Sequence, residues 1–344
     1  MSEEILFERR GQAGFIILNR PKALNALNHA MVTAMDAQLA RWADDPQVAR
    51  VVVTGAREKA FCAGGDIRSI YDAHKAGRSE GLSAFFRDEY LLNARIKSFP
   101  KPYVSLIDGI VMGGGVGISV HGTYRVGTGK TLFAMPETGI GFFPDVGATW
   151  FLPRLPARTG VYCALSAGRL KQGDALAAGI LTHAIDESTL ADIEKGLEDS
   201  DDIDALLAPR LVTPEKGRME EHLYEIEAIF SAGSVQEILE RLDEGETEFA
   251  AETARSIRSK SPTSVLVAFE QMKRGVDLSF TDCMKLEYRI VSRILRGHDF
   301  YEGVRAVLVD KDQAPVWSPS DISQVDSDDL ASYFEVPSDG DLPL

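Results

Sequence analysis

The chemistry of this chain is carried by two glycine-rich segments and two carboxylates. The segments are FCAGGDI at Phe61–Ile67 and GIVMGGGVGI at Gly109–Ile118; the carboxylates are Glu137 in FAMPETGIG and Asp145 in FFPDVGATW. Glycine admits close backbone approach and positive φ, so each segment can turn unhindered N–H groups toward one point. Two such groups aimed together hold an oxyanion. In the first segment the Gly65 N–H is the donor candidate, and Asp66 either caps the next helix or orients the loop. In the second, Gly113-Gly114-Gly115 stand where a helix would open. Each glycine is less helix-favouring there than alanine by roughly 1 kcal/mol, so the run needs a reason: close approach of a ligand, or tight packing of helix on sheet. A helix N-terminus at this point would add positive potential at a carbonyl oxygen.

Glu137 lies between Pro136 and Thr138, and Asp145 follows Pro144, both among Phe133, Phe142, Phe143 and Trp150. Aromatic surroundings desolvate a carboxylate and favour its protonated form. Two carboxylates sharing a pocket also titrate as a pair. Such a pair suits general acid–base work, or carboxylate attack on a carbonyl. The plainer reading is a helix cap for Asp145 and a solvated turn for Glu137. Other residues signal less. Cys62 has no nearby histidine and reads as a small buried residue, and His121 in SVHGTYR reads as structural. Glu89 in FRDEYLL, taken alone, is a solvated helix residue or one reaching into a pocket. Lys22, Arg68 and Lys311 are cations that could meet phosphates.

The elements that must position these groups follow from periodicity. Ile5–Arg10 and Phe15–Leu18 read as two strands around a glycine turn, and Val48–Thr54 as a buried strand. Asn28 can cap a helix in which Met31, Met35, Leu39 and Trp42 recur at helical spacing. A helix is predicted over 82–98, then the strand Tyr103–Ile107, with the second glycine run opening a helix. Strand, turn and helix recur in irregular units, which predicts stacked ββα layers in an α/β protein rather than a doubly wound sheet. After Arg158 the chain reads as mainly helical. The expected division is a ββα core over 1–210, a helical region over 211–320 and an acidic tail over 321–344. Seven acids and no Lys or Arg lie between Ser318 and Leu344, which predicts a solvated or loosely docked extension.

The whole chain of 344 residues carries 52 acidic and 37 basic side chains, a formal charge of -15. That balance excludes nonspecific nucleic-acid binding, which needs clustered Lys and Arg, while leaving room for an anionic ligand held locally. No apolar run reaches 18 residues, so no membrane span is expected. MSEEILFERR matches neither a signal peptide nor an Arg-rich transit peptide, and the three cysteines lack metal spacing. Both point to a cytoplasmic protein with reduced, buried thiols.

Taken with RPKALNAL at Arg20–Leu27, KPYVSLIDGIVMGGGVGIS at Lys101–Ser119 and EGVRAVLVDKDQAPVW at Glu302–Trp317, these motifs resemble the crotonase (enoyl-CoA hydratase/isomerase) superfamily, in the family's order over most of residues 5–320. The resemblance implies a crotonase-like spiral of ββα turns with a helical C-terminal region, and a CoA thioester as ligand. It implies that Lys22, Ala23 and Leu24 line the adenine and phosphate end of CoA, and that Ala63, Gly65, Asp66 and Ile67 line the pantetheine and thioester. Gly65 and Gly114 would supply the oxyanion N–H groups, and Arg68 a CoA-facing cation. Hydratases of the family use two glutamates. The second matches Glu137, but Gly117 stands where the first would fall. MGGGVGISVHG, FAMPETGIGFFPDVGATWFLPRL and RGHDFYEGVRAVLVDKDQAPVWSP resemble instead the 3-hydroxyisobutyryl-CoA hydrolase subfamily. There a Glu and an Asp at the positions of Glu137 and Asp145 act on the thioester, and a glutamate matching Glu89 helps bind substrate. The resemblance implies valine catabolism, no metal or redox cofactor beyond the CoA of the substrate, and a homo-oligomer such as a trimer or hexamer.

Overall fold

A continuous buried run, RVVVTG, forms the strand at the middle of the larger of two sheets. The computed structural model describes residues 4–56, 59–78 and 81–344. The six-stranded sheet runs β1 (Ile5–Arg10), β2 (Ala13–Leu18), β3 (Arg50–Gly55), β5 (Tyr103–Ile107), β7 (Tyr124–Gly127) and β10 (His183–Ala184). β1 pairs antiparallel with β2, and the other pairings are parallel. A four-stranded sheet runs β4 (Ala60–Cys62), β6 (Ile110–Met112), β8 (Leu132–Ala134) and β9 (Leu170–Lys171). Along the chain β3 is followed by β4 and then helix α2 (Ile67–Lys75), and β5 by β6 and then α4 (Gly114–Gly117). This is the predicted ββα succession in an α/β fold. Parallel strands covered on both faces read as unbroken apolar runs rather than alternations, which is why β3 and β5 are buried throughout.

The chain forms two compact units, each drawn from three stretches. The first comprises Met1–Gly65, Leu91–Phe133 and Leu170–Glu221. In it Phe15, Val52, Val104 and Val126 pack with Leu190, Ile193 and Leu197 of the helix Leu190–Leu197. Helix α1 (His29–Asp44) opens where predicted, with the Asn28 side chain accepting the Met31 N–H at 2.9 Å. The backbone of α4 lies directly on β4: a Cβ built on Gly115 would stand 2.2 Å from the Cys62 carbonyl oxygen. Packing is therefore the reason for glycine at this position. Gly115→Ala is expected to lower the unfolding free energy by about 2 kcal/mol or more through overpacking, read as a lower urea midpoint at unchanged slope. The three cysteines are buried and form no disulfide among the described residues, as expected.

The second unit comprises Asp66–Tyr90, Ala134–Arg169 and His222–Leu344. It is largely helical, including Pro262–Gly275, Phe280–Ile294 and Asp299–Val304. Here the acidic tail departs from the expected loose extension. It forms a helix over Ser327–Ser332, pairs Asp329 with Arg293 at 2.8 Å and Asp341 with Arg289 at 2.5 Å, and buries Phe334 and Leu342. Arg274 lies 4.0 Å over the Phe334 ring. The apolar residues between the acids supply the anchor that net charge alone does not reveal.

Candidate active site

In the first unit the RPKALNAL and FCAGG segments are stitched together. Asn25, buried with φ +56°, accepts the Arg20 N–H at 2.9 Å and donates to the Ala60 carbonyl at 2.9 Å. The Ala63 N–H donates to the Leu24 carbonyl at 3.0 Å and the Leu27 N–H to the Gly64 carbonyl at 2.8 Å. Lys22, Ala23 and Leu24 are exposed, while Ala63 and Gly65 are half-buried beside them in the chain's second loop. Gly64 adjoins the second glycine run: a Cβ built on it would lie 3.9 Å from the Gly114 nitrogen. The structure thus gathers Lys22, Ala23, Leu24, Ala63, Gly65 and Gly114 within this unit. Gly114 opens the single turn of α4, and Gly117 closes it, its N–H donating to the Gly113 carbonyl at 3.2 Å. His121 follows, buried.

The remaining site residues belong to the second unit. Asp66 caps α2, its side chain accepting the Ser69 N–H at 3.3 Å, which selects one of the two roles open in the sequence. Ile67 is half-buried; Arg68 is exposed and 3.9 Å from Asp72. Lys311 is exposed with φ +60°, on a loop gripped by Arg305 through Asp310 at 2.8 Å and Asp312 at 2.6 Å.

Glu137, Asp145 and Glu89 are all buried, at 6%, 4% and 2% exposure. That excludes a solvated turn for Glu137 and a solvated helix face for Glu89. Glu137 opens a 3-10 turn, Glu137–Ile140, whose end is pinned by the Phe142 N–H donating to the Glu137 carbonyl at 3.0 Å. Glu89 stands on α3 (Leu82–Lys97) beside Tyr90, whose hydroxyl donates to Asp145 Oδ2 at 2.8 Å. Phe142 packs on Phe86, Phe143 and Phe300 with centroids 5.3, 4.8 and 5.3 Å apart, which forms an apolar wall. Trp150 instead packs edge-on against Phe280.

A fourth carboxylate, Glu287 on Phe280–Ile294, is fully buried. Its Oε2 accepts the Gly147 N–H at 2.8 Å and its Oε1 the Thr149 N–H at 2.9 Å. Neither Glu287 nor Tyr90 emerges from the sequence reading. The signal for Glu287 is its place on the apolar stripe Cys283, Glu287, Ile290 and Ile294 of an otherwise amphipathic helix. For Tyr90 it is a buried hydroxyl that needs a partner.

Burial dominates the electrostatics. Desolvation, then the charge of Asp145, lifts Glu137 well above the usual carboxylate range, and desolvation, Asp145 and Glu287 do the same for Glu89. Glu287 is pushed up to about 8 by desolvation and Asp145. Asp145 rises to about 7, again through desolvation, with the Tyr90 hydrogen bond opposing the rise. Glu89 Oε1, Glu137 Oε2 and Thr138 Oγ1 have no hydrogen-bond partner among the described residues. Buried polar atoms left this way are costly, and a polar substrate group or water satisfies them. Burial therefore favours the protonated form across the cluster, whose carboxyls can give or take protons within an apolar pocket.

Comparison with known proteins agrees with this architecture. The family described as Enoyl-CoA hydratase/isomerase matches residues 13–334. The chain belongs to this family. Its relatives include 3-hydroxyisobutyryl-CoA hydrolase, mitochondrial, from Rattus norvegicus, 46% identical over 96% of this chain and 89% of that protein, and from Homo sapiens, 45% identical over 99% and 91%. Two solved family structures superpose with TM-scores of 0.93: a carnitinyl-CoA dehydratase from Mycobacterium thermoresistibile, 39% identical over 99% of this chain and 98% of that one, and an enoyl-CoA hydratase from Rhodobacter sphaeroides 2.4.1, 37% identical over 99% and 100%. The mitochondrial relatives overturn the expectation of a cytoplasmic protein. Ten residues of composition at one end are no guide to compartment. Among the described residues no helix is long and apolar enough to cross a membrane.

Proposed function

We propose that this protein hydrolyses 3-hydroxyisobutyryl-CoA to 3-hydroxyisobutyrate and CoA, a step of valine catabolism. The observation that carries the reading is the pairing of buried Glu137 and Asp145 in a chain that has Gly117 where a hydratase of this family would need its first glutamate. The hydrolase relatives, 44–46% identical over nearly the whole chain, support it. CoA enters as part of the substrate, and no separate cofactor is assigned.

In this proposal Gly65 and Gly114 donate their N–H groups to the thioester oxygen as it gains charge, a contribution of about 100- to 1000-fold per donor. Lys22, Ala23 and Leu24 meet the adenine and phosphates, Ala63, Asp66 and Ile67 line the pantetheine arm, and Arg68 faces a phosphate. Glu89 binds the acyl end. Glu137 either attacks the carbonyl carbon, expelling CoA thiolate and leaving an anhydride that water then opens, or removes a proton from the water that attacks. Asp145 orients the hydroxyl of the substrate or the water and relays the proton to the departing sulfur. A homo-oligomer, such as a trimer or hexamer, is part of the same proposal.

The two solved relatives, a carnitinyl-CoA dehydratase and an enoyl-CoA hydratase, make hydration of an enoyl-CoA the competing reading. Free thiol released from 3-hydroxyisobutyryl-CoA is measured beside loss of enoyl absorbance from crotonyl-CoA. Thiol release without hydration is the expected result. Hydration without thiol release would replace the proposal with a hydratase completed by some carboxylate other than one at position 117.

A further inference from the structure

The loop that carries Asp145 is strained and clamped from two helices. Val146 has φ +53°, a left-handed conformation that strains a β-branched residue, and Gly147 follows at φ +89°. Such a conformation persists only where its surroundings impose it. Two buried side chains do so here. Glu287 accepts the N–H groups of Gly147 and Thr149, on the C-terminal side of Asp145. Gln271, on the helix Pro262–Gly275, donates from Nε2 to the Pro144 carbonyl on the N-terminal side and to Thr149 Oγ1, both at 2.6 Å. A carboxylate buried at such depth is costly unless its oxygens are engaged, and both oxygens of Glu287 are spent on this one loop.

We propose that Glu287 is a positioning residue for Asp145. Together with Gln271 it holds the Val146 kink that directs the Asp145 carboxylate toward the Tyr90 hydroxyl and the acid cluster. Glu287 touches neither substrate nor reacting atoms in this scheme; it acts through the angle at which Asp145 is presented. A misplacement of about 1 Å in a catalytic group costs up to about 100-fold, so the clamp governs the rate while leaving substrate affinity to other residues. The inference rests on the hydrolase reading for its catalytic consequence, though not for the clamp itself.

The test is a double-mutant cycle on thioester hydrolysis with E287Q, D145N and the double variant, alongside amide hydrogen exchange of residues 145–149. E287Q keeps the volume but turns an amide NH2 toward one backbone N–H. In the Asp145 background it is expected to lower kcat about 10- to 100-fold with KM within about twofold. In the D145N background its effect is expected to shrink to less than about threefold, because the residue it positions is already gone. Exchange at Gly147 and Thr149 is expected to quicken. Equal factors in both backgrounds would overturn the positioning role, since a general structural loss is additive. Unchanged exchange would overturn the clamp. If E287Q does not fold, Gln271→Met cuts the grip at the other end and enters the same cycle. A wild-type protein inactive on the thioester would sink the hydrolase reading instead, and the exchange measurement would still decide the clamp.

Discussion

Glu137→Gln protein is expected to release thiol from 3-hydroxyisobutyryl-CoA roughly 100- to 10,000-fold more slowly than wild type, the range for removing a positioned proton-transfer group. The amide keeps the volume of the side chain and its place on the turn after Pro136, so CoA affinity should hold within about threefold. Both candidate routes need the ionised oxygen: one as nucleophile, the other as base. Burial and the Asp145 charge hold that oxygen protonated well above the usual carboxylate range, so wild-type kcat/KM should rise with pH as the cluster loses protons. Single-turnover hydrolysis in oxygen-18 water tests the nucleophilic route: label entering the Glu137 carboxylate marks an anhydride that water opens on the Glu137 side. Activity of Glu137→Gln within tenfold of wild type would remove Glu137 from the centre of the mechanism.

How much of this was legible in the sequence depends on the range of the interaction. The glycine loops, β1, β5, the Asn28 cap and the Glu137–Asp145 pair are set by local residue type, and local pattern finds them. Asp66 offered two roles because a cap and a loop-orienting carboxylate look alike in one dimension. Glu89 looked like a solvated residue because FRDEYLL is charged, yet its carboxylate is buried among Asp145 and Glu287. Glu287 lies 138 and 140 residues from the amides it accepts. No periodicity within its own helix names those partners; it shows only an acid on an apolar stripe, which is a reason to ask what the acid binds. The tail erred in the other direction. Its net charge argued for solvation, whereas Phe334, Leu342 and two ion pairs decide its docking.

Asp145→Asn is expected to cut the hydrolysis rate roughly 100- to 1000-fold, for loss of proton relay and substrate orientation, and at the same time to make the protein more stable at alkaline pH. The sign follows from proton linkage. Asp145 titrates near 3.9 when unfolded and at about 7 when folded. Between those values the native state binds more protons than the unfolded one, so unfolding free energy falls as pH rises. Stability is whole below about pH 4 and is lost progressively as pH rises through 7. A shift of about three units corresponds to about 4 kcal/mol, and the extra amide hydrogens of asparagine offset part of the gain. Asparagine still offers an oxygen to the Tyr90 hydroxyl, so the hydrogen bond survives. Urea unfolding should therefore find Asp145→Asn more stable than wild type by about 2 kcal/mol at pH 8 and little different at pH 4. Removing the Asp145 charge also removes a cause that raises Glu137 and Glu89, so the acid limb of the residual activity should move to lower pH. A variant equally active, or destabilised most at pH 8, would mean that the Asp145 carboxylate is held for structure alone. The expected opposite movement of rate and stability is what a buried carboxylate kept for chemistry requires: its charge burdens the fold at the pH where it serves the reaction.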